Sequence, residues 1–147
     1  MTRPLLSSRE SAFWLAFRRA HEVVSERIES ELVERADLSG PEVEVLSRLT
    51  DLGEGRLRQQ RLADSLQWEK SRLSHQLSRM QSKALVERRR DSARSVTVQI
   101  TRRGRALLVR AREVHAAAVR RHLLERVPAR DRALLERVYT CLLRNSR

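Results

Sequence analysis

Residues 71–80 read SRLSHQLSRM, and residues 85–100 read LVERRRDSARSVTVQI. The apolar residues of the first segment recur at helical spacing: Leu73, Leu77 and Met80. This spacing predicts a helix with one buried face from about residue 68 to residue 82. The end of the second segment, 95–100, alternates β-branched or apolar residues with polar ones, which predicts two short strands around a basic loop. A helix followed directly by such a hairpin is typical of a winged helix-turn-helix.

The chain that precedes this region predicts three further helices. Two capping boxes, Ser7–Glu10 and Ser39–Glu42, each pair a serine with a glutamate three residues later, and they place helix starts near residues 8 and 40. We expect the first helix to run to about residue 36 and the second to stop near Gly53 and Gly55. A third, short helix is expected from about Leu57 to Ser65.

The chain that follows the hairpin predicts two more helices. Thr101 is placed to cap a fifth helix that runs to about Glu125, and Pro128 begins a sixth. The fold class is therefore mainly α with a short β-hairpin. We expect a winged helix-turn-helix over 39–105, and helices in 1–38 and 106–147 that form a dimerisation arm. Their broad apolar stripes are more than one chain of this length can bury, which favours a homodimer.

Composition excludes several classes of protein. With 147 residues, 40 % hydrophobic and 34 % charged, the chain fits one domain with a modest core or a compact two-lobed unit. It fits neither a disordered tail nor a membrane protein. No apolar run is long enough to span a bilayer, so no membrane partner is expected. Met1–Leu6 lacks the apolar core of a signal peptide. A single cysteine, Cys141, excludes an internal disulfide. The expected location is therefore the cytoplasm.

The charge is concentrated in the middle of the chain. The net charge is +12, and 29 of the 31 basic residues are Arg. Residues 1–55 have a net charge of −4, residues 56–105 of +10, and residues 106–147 of +6. Such an excess of Arg indicates a polyanionic partner, most often nucleic acid. We therefore expect double-stranded DNA to bind the middle third.

The polar face of the helix near 68–82 carries small hydroxyls among basic side chains. Hydroxyls and Arg suit phosphates and base edges, and small residues allow close approach of the backbone. Its one acid, Glu69, is expected on the core side. The hairpin tip with its Arg residues is expected in the minor groove. The candidate DNA-binding residues are Trp68, Lys70, Ser71, Arg72, Ser74, His75, Ser78, Arg79, Arg90 and Arg94. The alternative is a solvated helix face, with a charged hairpin that keeps a sheet edge soluble.

Several of these segments together resemble the MarR family of bacterial winged helix-turn-helix transcription regulators. The segments are Leu62–Leu66, Ser71–Met80, Leu85–Arg89 and Arg94 through Gly104. The order and length of the six helices and the wing extend the resemblance to nearly the whole chain. It implies an obligate homodimer with helices 1, 5 and 6 intertwined, a palindromic operator, and often a small phenolic or lipophilic effector.

Two positions depart from the family pattern. The family often has Gly at the end of the recognition helix, where this chain has Ala84, and a positive φ would strain that residue. The family wing often has Asp two residues before the Arg that matches Arg94. Here Ser92 holds that place and Asp91 stands three residues before, so the family's Asp–Arg clamp is not predicted for this chain. Asp91 could still hold an Arg by a salt bridge.

Four residues of the first helix are candidates for an effector site: Phe13, Trp14, Phe17 and His21. Three aromatic walls and one polar group suit a flat phenol or aromatic acid, bound between the arm and the DNA-binding domain. The alternative for these aromatics is ordinary core packing, and Cys141 is expected to be a small buried residue. The His residues lack acids or thiols at ligand spacing, and no nucleophile–base pair stands out. We therefore predict no catalytic residue, no metal site, no cofactor and no enzyme.

The sequence thus favours a sequence-specific, DNA-binding transcription regulator, a homodimeric repressor that a small ligand releases. Two alternatives remain. One is a nucleoid-associated architectural protein with weak sequence preference, although the wing lacks an apolar wedge. The other is an Arg-rich RNA-binding protein, although the hairpin lacks the aromatic residues on which RNA bases stack.

Overall fold

The computed structural model describes residues 5–144. Two terminal segments lie outside the described residues: Met1–Pro4 and Asn145–Arg147. The first is part of the segment that lacks a signal-peptide pattern, and the second is the end of the predicted dimerisation arm. Within residues 5–144 no helix is both long and apolar enough to cross a membrane.

Six α-helices and a three-stranded sheet form the described chain. The predicted order of the helices and the hairpin is confirmed. The elements are α1 (Ser8–Ala36), α2 (Gly40–Gly53), β1 (Arg56–Arg58), α3 (Gln59–Leu66), α4 (Lys70–Ser82), β2 (Val86–Ser92), β3 (Ser95–Ile100), α5 (Arg102–Val119) and α6 (Ala129–Arg144). Between α5 and α6, one π-helical segment spans Arg120–Leu124, and the Glu125 N–H donates to the Arg120 carbonyl five residues back.

The chain divides into two compact units. One comprises Met1–Ser30 and Ala116–Arg147, and the other comprises Glu31–His115. The second unit contains α2, the sheet, α3 and α4. It is the unit in which the candidate DNA-binding residues lie.

The sheet has one more strand than the sequence predicts. Residues Arg56–Arg58, β1, pair antiparallel with β3, which also pairs with β2, so the order is β1-β3-β2. The third helix therefore begins at Gln59, and the expectation that it starts near Leu57 is wrong. Leu57 is buried on the sheet opposite Val98. The backbone bonds of β3 hold this short strand, since three residues form no strand alone.

A leucine-rich core holds α2, α3 and α4 together beneath the sheet. The stripe predicted for α4 is confirmed, because Leu73, Leu77 and Met80 are fully buried. The Ser39–Glu42 capping box is also confirmed. Glu42 is itself buried, and its Oε1 lies 2.9 Å from Nζ of Lys83 at the end of α4. This ion pair neutralises the buried carboxylate and joins the start of α2 to the end of α4.

A left-handed residue that is not glycine follows the end of α4. Ala84 has φ of 56°. The Leu85 N–H donates to the Met80 carbonyl at 2.9 Å, which closes the helix end in the manner usually reserved for Gly. The Thr101 hydroxyl accepts from the Gly104 N–H at 2.9 Å, as expected for a cap of α5, and donates to the Ala84 carbonyl at 2.7 Å.

The unit formed by 5–30 and 116–144 buries little of its apolar surface. Phe13, Trp14 and Phe17 are 75 %, 50 % and 41 % exposed, so they are not core residues of the single chain. Cys141 is also exposed, contrary to the expectation that it is buried. Further exposed apolar side chains lie on α6: Leu134, Val138, Tyr139, Leu142 and Leu143.

Candidate nucleic-acid interface

A tight turn between α3 and α4 sets the direction of α4. Gln67 is left-handed, with φ of 53°, and the Trp68 N–H donates to the Ala63 carbonyl at 3.1 Å. Because α4 begins at Lys70, Trp68 lies before the helix and not in its first turn. The Trp68 ring lies beneath the Arg72 guanidinium, whose carbon is 4.0 Å from the ring centroid. This cation–π contact orients Arg72 at the exposed start of α4.

The side of α4 opposite the core presents the predicted polar residues to solvent. Lys70, Ser71, Arg72, His75, Ser78 and Arg79 are exposed, while Ser74 and Trp68 are half-buried. Glu69 is exposed, so its expected place on the core side is wrong. Glu69 precedes the helix as its N-cap residue, and its side chain makes no capping hydrogen bond. From Lys70 to Ser82 the helix has no acidic residue.

The hydroxyl of Ser78 on α4 is already engaged within the protein. Ser78 donates its hydroxyl hydrogen to the Ser74 carbonyl at 3.0 Å, and the same oxygen accepts from Nη2 of Arg88 at 3.0 Å. One lone pair of the Ser78 oxygen remains, so in this arrangement it could accept from a base amino group but could not donate to a phosphate.

Arg79 is hydrogen-bonded to Gln76, a residue that the sequence analysis did not identify. Gln76 is only 5 % exposed, and its Oε1 accepts a hydrogen bond from Nη2 of Arg79. This contact limits the positions that the guanidinium can take at the helix surface. Gln76 lies on the buried side of α4, and its one sequence signal is a polar residue beside the apolar stripe.

The wing is a short hairpin whose turn is Ala93–Arg94. Ser92 pairs with Ser95, and a bulge lies between Arg90 and Ser92. Arg90 and Arg94 are exposed. The Ser92 hydroxyl accepts from the Arg94 N–H at 3.3 Å. Ser92, in the family's Asp position, thus holds the backbone of Arg94.

Asp91 holds another residue than Arg94. The Thr97 hydroxyl donates to its Oδ2, and Nε of Arg89 lies 3.1 Å from its Oδ1. The Thr97 hydrogen bond first, and Arg89 after it, keep the pKa of the Asp91 carboxyl below its ordinary value. Asp91 thus holds an Arg, as expected, and that residue is Arg89. The Arg94 side chain does not belong to the cluster formed by Arg89, Asp91 and Thr97.

Arg88, on β2, was not among the candidate residues but joins the wing to α4. In addition to Ser78, it contacts Gln81, whose Oε1 lies 2.9 Å from its Nε. The sequence predicts a basic loop here, whereas Arg88–Arg90 lie in β2, and it does not show which Arg points back towards α4. The pairing of Arg88 with buried Val98 on β3 places it on the inner face of the sheet.

The four effector candidates all lie on the part of α1 that belongs to the unit formed by 1–30 and 116–147. Trp14 and Phe17 stack with their ring centroids 6.1 Å apart. Phe13 and Trp14 border an open apolar hollow together with Leu6. His21 is exposed, one turn beyond Phe17. In residues 5–144 no group of three or more His, Cys, Asp or Glu side chains is placed to hold a metal ion.

Comparison with known proteins finds similarity among solved structures only. No family model matches the chain, and no curated protein does. AbsC, a MarR family transcriptional regulator from Streptomyces coelicolor, shares 26 % identity at a TM-score of 0.80, over 97 % of each chain. A second S. coelicolor regulator of that family, solved in complex with DNA, shares 22 % identity at a TM-score of 0.81, over 96 % of this chain and 90 % of that one.

A third similar structure carries a small ligand. It is an organohalide-sensing transcriptional regulator in its 2,4-dichlorophenol-bound form, with 18 % identity, a TM-score of 0.77, and coverage of 97 % of this chain and 85 % of that one. The chain thus has the fold of the MarR family structures along nearly its whole length, and the resemblance stated from the sequence is confirmed.

Proposed function

We propose that this chain is a transcription regulator that binds double-stranded DNA. In this proposal the exposed face of α4 enters the major groove and the Arg94 turn enters the adjacent minor groove. The observation that carries it is the face itself: Arg, His, Lys and Ser side chains on a helix of a winged helix-turn-helix, without one acidic residue. The DNA complex of the structurally similar regulator from S. coelicolor supports DNA as the partner.

The finer part of the proposal is a homodimer on a palindromic operator. The exposed apolar residues of α1 and α6 exceed what a monomer usually leaves in water, and a symmetric partner would cover them. A two-fold dimer would present two copies of α4 about one helical turn, roughly 34 Å, apart on the DNA. Such a protein would act at the nucleoid, in the cytoplasm.

We further propose that the regulator is a repressor that a small lipophilic or phenolic ligand releases. A ligand can weaken DNA binding only if it prefers a conformation that fits DNA poorly. The exposed aromatic residues Phe13, Trp14 and Phe17, with His21 beside them, suit a flat aromatic ligand. The dichlorophenol-bound form of a regulator with the same fold supports this ligand class.

The proposal is tested by selecting bound duplexes from a random pool with the purified protein. We expect an inverted repeat, and we expect the selected duplex to compete far better than random DNA at the same stated salt concentration. Equal competition by random duplex would favour an architectural DNA-binding protein instead. Light scattering at micromolar concentration should give the mass of a dimer, and a helical monomer would contradict the homodimer.

A further inference from the structure

A cleft of about 270 Å³ lies in the unit formed by 31–115, between the start of α3, the start of α4 and the wing. Its lining contains three cations, Arg58, Lys70 and Arg94, and no acidic residue. Lys70 and Arg94 are already candidate DNA contacts. Arg58 is not, because it lies on β1, the strand that the sequence did not predict.

The three cations of this cleft are left unpaired by the carboxylates of the described residues. Within residues 5–144 none of them forms an ion pair, whereas Arg89 pairs with Asp91 and Arg112 pairs with Asp51. The charge of Arg58 does help to lower the pKa of Asp91, which therefore lies nearby, but Asp91 is engaged by Thr97 and Arg89. Three cations around one concave space create a positive potential that an anion would neutralise.

The position of the cleft indicates which anion would bind there. Neighbouring major and minor grooves of a duplex are separated by a single sugar–phosphate strand. If α4 enters one groove and the Arg94 turn enters the next, that strand must pass between them, where the cleft lies. We infer that the cleft holds a backbone phosphate of the bound DNA, with Arg58 as a contact outside both the recognition helix and the wing. This inference rests on the proposed function.

The chain offers a matched control for this contact. Arg56 lies two residues away on the same strand and is exposed, as Arg58 is. It borders a neighbouring hollow and does not line the cleft. No hydrogen bond from the Arg58 side chain is made within residues 5–144, so Arg58→Ala should fold, and thermal unfolding checks this. Arg58→Lys retains the charge.

The experiment uses the full-length protein and the duplex enriched by selection, with single phosphates replaced by neutral methylphosphonates. We expect neutralisation of the phosphate between the two contacted grooves to weaken DNA binding by the wild-type protein. The same neutralisation should have little effect on DNA binding by Arg58→Ala. The slope of log K against log salt should become shallower by about 0.9 for each phosphate that the protein no longer neutralises. Arg58→Ala should weaken operator and random duplex by the same factor, because a phosphate contact reads no sequence. Arg58→Lys should restore most of the slope, and Arg56→Ala should leave the phosphate-specific loss in place.

Several results would overturn the inference. In one, neutralising that phosphate weakens DNA binding by Arg58→Ala as much as it weakens binding by wild type. In another, Arg56→Ala changes the slope of log K against log salt as much as Arg58→Ala does, which would indicate an effect of net charge and not of a site. The third uses inorganic phosphate in calorimetry: Arg58-dependent phosphate binding without any change in the DNA salt slope would assign the cleft to a free anion. A wild-type protein that binds no duplex would overturn the proposed function as well, whereas wild-type binding that Arg58→Ala leaves unchanged would overturn the cleft alone.

Discussion

Nη2 of Arg88 on the wing donates to the hydroxyl of Ser78 on the recognition helix at 3.0 Å. With the second bond, from Nε to Gln81 at 2.9 Å, one guanidinium spans two residues of the last turns of α4. The wing and the helix would contact different grooves of the DNA, so their relative position matters for binding both at once. Arg88 is thus a positioning residue for the Arg94 turn.

We expect Arg88→Ala to weaken operator binding by about 1 kcal/mol, since both hydrogen bonds between the Arg88 guanidinium and α4 are removed and the wing is less constrained. The loss should be coupled to Arg94. In a double-mutant cycle, Arg94→Ala should cost less in the Arg88→Ala background than in wild type. Additive losses would indicate that Arg88 contributes independently of the wing. Arg88→Lys should restore only part of the affinity, because an ammonium lacks the planar fork that reaches both partners.

Base reading should depend on the exposed face of α4. Arg79→Ala and His75→Ala are each expected to lower specific binding by about 1–3 kcal/mol per half-site while the dimer stays folded. Arg94→Ala should weaken binding with a smaller loss of sequence discrimination, since the minor groove is read less uniquely. Operator and scrambled duplexes are compared by fluorescence anisotropy at one salt concentration. Unchanged operator affinity in both helix variants would mean that α4 is not the recognition helix.

The left-handed residue that ends α4 predicts a stabilising substitution. At φ of 56° a Cβ is unfavourable, so Ala84→Gly should raise the free energy of unfolding by about 0.5–1 kcal/mol. Ala133, exposed inside α6, is the matched control, and Ala133→Gly should lower the free energy of unfolding by about 1 kcal/mol. Urea unfolding followed by circular dichroism measures both. A destabilised Ala84→Gly would show that the helix end carries no strain.

The contacts of Asp91 with Thr97 and Arg89 on the wing predict a carboxylate that stays ionised at a lower pH than usual. Because the pKa of Asp91 is lowered in the folded chain, its ionised form stabilises the wing above the ordinary carboxyl pKa. That contribution should be lost only as the pH falls through the lowered value. The carboxyl carbon signal of Asp91, followed by NMR, should titrate below the usual Asp range. Thr97→Val should raise the midpoint more than Arg89→Gln does, and a normal midpoint in wild type would exclude the cluster in solution.

An aromatic ligand should bind near the aromatic residues of α1. We expect salicylate-like or larger phenolic compounds to quench Trp14 fluorescence and to reduce operator affinity roughly 5–150-fold, a coupling of about 1–3 kcal/mol. Phe17→Ala should weaken the ligand effect and leave DNA binding nearly intact. Trp68→Phe removes the other indole and isolates the Trp14 signal. A ligand screen without any change in operator affinity would assign these aromatics to a protein interface.

The sequence by itself determined the helices, the hairpin and the exposed face of α4. These features follow from local rules: the Ser39–Glu42 capping box, the apolar spacing from Leu73 to Met80, and the alternation in 95–100. Each rule acts within a few residues, so it can be read along the chain. The family resemblance rests on the same residues, because they set the turn, the recognition helix and the wing.

The tertiary structure alone decided what depends on partners distant in sequence. Strand β1 exists because β3 supplies its hydrogen bonds, and three residues carry no period of their own. The same strand places Arg58 beside Lys70 and Arg94, and the register of β2 on β3 turns Arg88 towards Ser78. Arg side chains on a basic strand look alike in the sequence. Only the packing of sheet against helix determines that Arg88 holds the wing and that Arg89 pairs with Asp91. The same packing leaves Arg58 without an ion-pair partner among residues 5–144.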